Sequence, residues 1–138
     1  MKAMLTGLIV SLAIFGSLSA APAENLKEKV KAEILSAGLH PGMDPGLYVC
    51  AGNHLHVKGT VQNLSGVTLA SLKLEGRAYD ADGKLLGTAQ PWQKAPALTP
   101  LAPGEKAEFN LEFLTITGPR IRLAKKQEIV VLEAEAKQ

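Results

Sequence analysis

The sequence predicts an all-β domain, an antiparallel immunoglobulin-like sandwich of about six or seven strands behind a signal peptide and one short N-terminal α-helix. Three observations carry this. Beyond residue 46 the hydrophobic period is two, with several short alternating runs. Gly-, Asn- and Asp-rich turn signals separate those runs, and no strand–helix–strand alternation marks a parallel nucleotide-binding sheet. Finally, 138 residues at 46% hydrophobic and 20% charged suit one packed core.

The chain opens with an address. Lys2 precedes an uncharged apolar run over residues 4–18, and the small-residue stretch 19–23 ends in an Ala21-Pro22-Ala23 cleavage pattern. A positive start, an apolar middle and small residues at the cut define a secretory signal peptide. Cleavage after Ala23 would leave no transmembrane segment and give a periplasmic or extracellular protein. Left uncleaved, residues 4–23 are about long enough to anchor the chain in a bilayer. Loss of Lys2 leaves 14 basic against 13 acidic side chains. That balance speaks against nucleic acid as a partner. The organisation expected is a signal peptide over residues 1–23, a helix and connector over 24–46, and the β domain over 47–138.

Leu26, Val30, Ile34 and Ala37 recur at helical spacing, so residues 24–37 read as a helix with Gly38 as its cap. Residues 40–46 hold two prolines and two glycines and form a connector. Strands over 47–51 and 54–62 flank Gly52-Asn53, a two-residue hairpin signal. Leu55, Val57, Gly59 and Val61 should face inward, with His54, His56, Lys58 and Thr60 outward. A strand ending at Tyr79 meets its partner over 84–89 through the turn Asp80-Ala81-Asp82-Gly83. Residues 91–104 form a long proline-bearing loop. Ala107, Phe109, Leu111 and Phe113 then alternate inward, and residues 120–123 and 128–136 supply the last two strands.

Over residues 56–113 the sequence resembles the FxLYD domain, an immunoglobulin-like module of exported bacterial proteins. The resemblance lies in the run Val57 to Asn63, then Tyr79-Asp80, Asp82-Gly83, Leu101-Ala102-Pro103-Gly104-Glu105 and Phe109, in that order. Gly76 and Ala78 stand where the family carries its aromatic residue and leucine. Trp92 or the stripe Leu26/Val30/Ile34 is expected to fill the space they leave. The resemblance implies an extracytoplasmic binding or structural module without catalytic residues.

Few side chains suggest chemistry. His54 and His56 share one face of a strand and could hold copper or zinc, with His40, Met43 and Cys50 nearby in sequence. A two-residue turn would place Cys50 opposite Leu55, on the core face, and leave both histidines solvated. Cys50 then reads as a buried structural residue. Trp92, the sole tryptophan, lies in the long loop and marks a ligand contact or folds back onto the small-residue groove. Arg120 and Arg122 could grip an anionic surface or an envelope protein; a charged edge that discourages aggregation is the simpler reading. Serine-nucleophile elbows, zinc-protease motifs and phosphate loops are absent, so no enzyme and no cofactor is expected.

Overall fold

A computed structural model describes residues 25–138, and the segment 1–23, expected from the sequence to be a signal peptide, lies outside them. Seven antiparallel strands form the domain: β1 (Val30–Ile34), β2 (Leu47–Val49), β3 (His54–Asn63), β4 (Leu69–Tyr79), β5 (Leu85–Pro91), β6 (Lys106–Thr117) and β7 (Lys126–Ala136). They run in one path, β1-β3-β6-β5-β4-β7, with β2 also paired to β3. β1 packs against β7, so the sheet curls into a nearly closed barrel. The corner lies between β5 and β6, which share only the pairs Gln90↔Glu112 and Pro91↔Leu111.

β3 is the hub. Along one edge it pairs fully with β6 from Leu55↔Phe113 to Gln62↔Lys106. Its other edge is divided: β2 takes residues 55–57 and β1 takes residues 59–63. The changeover falls at Lys58, whose N–H donates to Gly46 O at 2.8 Å and whose carbonyl accepts from Leu35 N at 3.0 Å. Gly59 makes the close approach of β1 possible, since a Cβ there would overlap Glu33 O and the Phe109 ring.

The expected N-terminal helix is not formed. Leu26–Lys29 makes a single 3-10 turn, and Val30–Ile34 continues as β1. The same residues carry a period-two reading, with Val30, Ala32 and Ile34 inward and Lys31 and Glu33 exposed. The open edge of β3 supplies strand hydrogen bonds, and a marginal short helix loses to that pairing. Residues 120–123 are likewise not a strand. Gly118–Leu123 forms a 3-10 segment, opened by Pro119, which cannot donate to a ladder.

Inward residues of β3, β4 and β6 make the core: Leu55, Val57, Val61, Leu69, Ala78 and Phe113 are all fully buried. The space beside Gly76 is occupied by Ala89, Leu111 and Phe113, the nearest groups to a Cβ built there. It is filled from β5 and β6, not by Trp92 or the N-terminal stripe. Fully buried Asn63 ties the turn after β3 to the long loop. Its Nδ2 donates to Val67 O (2.8 Å) and Leu101 O (2.9 Å), and its Oδ1 accepts from Ser65 N and Oγ. No helix among the described residues is long and apolar enough to cross a membrane.

Candidate metal centre

Strand alternation aims His54 and His56 away from the core, yet His56 is fully buried. Three elements cover it. β2 places Tyr48 directly opposite His56, with ring centroids 4.6 Å apart and stacked. β6 places Glu112 opposite it on the other side, with Asn110 one outward step away. The long loop begins at Trp92, whose N–H donates to Asn110 O at 3.0 Å, and its indole meets the His56 ring edge-on at 5.7 Å.

The hairpin before β3 is built differently from the two-residue turn expected. Asn53 adopts a left-handed conformation (φ 62°), its N–H donates to Cys50 O, and Cys50 N donates to His54 O. This is a turn followed by a bulge residue, which lengthens the loop. The register becomes Val49↔Leu55 and Tyr48↔His56, one residue from the expected pairing. A one-residue slip changes which face a side chain meets. Cys50 therefore leaves the core face and is only partly buried, with Sγ 3.7 Å from His54 Nδ1.

The resulting cluster joins Cys50, His54, His56 and Glu112. Donor atoms of Cys50, His56 and Glu112 lie within 4.8 Å of one another. His54 Nδ1 sits 3.0 Å from Glu112 Oε1, and His56 Nε2 sits 3.6 Å from the same oxygen. The second distance exceeds hydrogen-bond reach, and His56 Nε2 is buried without a partner.

The polar groups behind His56 set its proton. Asn110 Nδ2 donates to Tyr48 Oη at 2.6 Å, so its Oδ1 faces His56 Nδ1 at 2.9 Å as an acceptor. Nδ1 must then carry a hydrogen, and Nε2 is the ring nitrogen turned toward Glu112. Burial raises the Tyr48 hydroxyl above its ordinary pKa, with the Asn110 hydrogen bond opposing, so the phenol stays protonated. A buried, unpartnered ring nitrogen and a carboxylate oxygen thus face each other, a gap that a proton on the ring or a bound cation would bridge.

The other candidate residues fall elsewhere. His40 is exposed, 6.3 Å from the Tyr48 ring, and Met43 packs against the core. Trp92 is half-buried as part of the cover over His56. Arg120 and Arg122 are exposed on the 3-10 segment, where Arg120 Nη2 donates to Leu86 O at 2.9 Å. Glu112, Asn110 and Tyr48 were not singled out from the sequence. Glu112 lies between the inward Leu111 and Phe113 in sequence, and the β3–β6 register alone brings it to the histidines. Compared with known proteins, the chain matches no family model, no curated protein and no solved structure.

Proposed function

We propose that this is an exported, non-catalytic binding domain whose ligand is a transition-metal ion held between β3, β6 and the β2–β3 turn. One observation carries the reading: the fully buried, unpartnered Nε2 of His56 faces Glu112, beside Cys50 and His54. Imidazole, thiolate and carboxylate together suit first-row divalent ions. Asn110 and Tyr48 supply the outer support that fixes a ligating ring. The signal-peptide pattern supports export. The ordered motifs from Val57 to Phe109 support a distant FxLYD-like, immunoglobulin-type ancestry for the antiparallel domain.

Calorimetric titration of the purified reduced protein with Zn²⁺ and Cu²⁺ tests the reading. One ion per chain should bind more tightly than micromolar, and His56→Ala and Glu112→Ala should each abolish that binding. No binding at that strength by either ion would remove the proposal.

A further inference from the structure

We infer, resting on the metal-binding reading, that the ion is a tetrahedral divalent ion of the zinc class. Its shell is closed by four side chains of this chain: Cys50 Sγ, His54 Nδ1, His56 Nε2 and Glu112 Oε1. Tetrahedral bonds of ~2.0–2.3 Å set neighbouring donors ~3.3–3.6 Å apart. Cys50, His56 and Glu112 already hold donor atoms within 4.8 Å of one another. The His54 ring, in contact with Cys50 and Glu112, must turn toward His56 to complete the set. His56 Nε2 to Glu112 Oε1 is 3.6 Å and Cys50 Sγ to His54 Nδ1 is 3.7 Å. His54 Nδ1 to Glu112 Oε1, at 3.0 Å, is a close contact that opens when Nδ1 ligates the ion. Any hydrogen on Nδ1 leaves to solvent, and the ligating ring carries its hydrogen on Nε2.

The donor types select the ion. Magnesium and calcium take oxygen shells, which a thiolate and two imidazoles do not offer. Copper(I) favours thiolate and thioether sulfur, but the partly buried Met43 packs against the core and not with the Cys50 cluster. One sulfur, two nitrogens and one oxygen form a mixed set that zinc accepts. On binding, Cys50 releases its thiol proton to solvent and ligates as thiolate.

The donors also explain what the ion does. Cys50 lies in the β2–β3 turn, His54 and His56 on β3, and Glu112 on β6. Four protein ligands leave no position for a substrate, so the ion acts as a staple between the hairpin and the sheet. The lengthened turn at Asn53 is the device that brings Cys50 to the histidine side.

Cobalt(II) is the probe, since tetrahedral thiolate sites give it intense visible d–d bands and a near-ultraviolet sulfur-to-metal charge-transfer band. The reduced protein titrated with Co²⁺ should show both, and one equivalent of Zn²⁺ should bleach them. Cys50→Ser should remove the charge-transfer band. His54→Ala should weaken Co²⁺ binding by more than the ~10–100-fold typical of outer-shell losses. Cys50 and His54 are both partly exposed, so each variant should unfold thermally like the metal-free parent. Bound Co²⁺ with a weak six-coordinate spectrum, or lacking the charge-transfer band, would overturn the tetrahedral four-ligand site while leaving metal binding intact. Absence of binding by any of the ions would overturn both.

Discussion

His56 Nδ1 donates to Asn110 Oδ1 across 2.9 Å between β3 and β6, and that bond decides which ring nitrogen faces Glu112. Under the proposed metal binding, Asn110 is a positioning residue that would act on the ion through His56. Asn110→Ala should weaken Zn²⁺ binding by about 10–100-fold. Asn110→Asp, which keeps an acceptor at the ring, should restore most of it. Nitrogen-15 NMR of the metal-free protein should find His56 with its hydrogen on Nδ1; a hydrogen on Nε2 would contradict the assignment.

Trp92 meets the His56 ring edge-on at 5.7 Å, and it is the only tryptophan in the chain. Its emission should therefore report occupancy of the cluster. Cu²⁺ should quench it along the same binding curve that calorimetry records. His56→Ala should abolish the quenching, and iodide should quench the metal-free protein only partly because the indole is half-buried.

Asn63 is the second polar keystone, with its amide bound to Val67 O, Leu101 O and both polar groups of Ser65. Asn63→Ala leaves several buried partners unpaired and should cost about 2–4 kcal/mol. Urea unfolding should show a lower midpoint, with greater proteolytic cleavage within residues 92–105.

At Gly59, any side chain collides with Glu33 O on β1 and with the Phe109 ring. The first of these is backbone, which cannot rotate away. Gly59→Ala should destabilise the domain by about 1–3 kcal/mol in denaturant titrations. Hydrogen exchange should show the loss concentrated in Val30–Ile34.

Glu133 and Glu135 lie two apart on β7, and a hydrogen bond from Glu133, followed by its charge, holds the Glu135 carboxyl above the usual range. A carboxyl whose folded pKa is raised favours folding most when protonated. Its contribution is complete below the ordinary carboxylate range and is lost as pH rises through the raised value. Glu135→Gln should therefore raise the melting temperature at neutral pH, and the gain should vanish in acid, as paired thermal melts would show.

Much of the strand pattern was legible locally. Phe109, Leu111 and Phe113 alternate inward as their spacing required, because period-two burial is a property of a single strand. The Asp80–Gly83 turn also formed as read, with Asp80 Oδ1 accepting from Asp82 N and Lys84 N. Local cues failed at Val30–Ile34, where helical and strand periods coexist and a distant edge chose between them. They failed again at Cys50, where one left-handed residue, Asn53, shifted the hairpin register.

The sequence by itself determined the all-β class, the inward residues of the long strands and the pairing of His54 with His56 on one outward face. Those features follow from alternation and turn chemistry within a few residues. Only the tertiary structure decided that the sheet curls toward closure, that His56 is buried, and that Cys50 and Glu112 meet the histidines. Each depends on register and on contacts between strands far apart in the chain, where a shift of one residue changes the face a side chain meets.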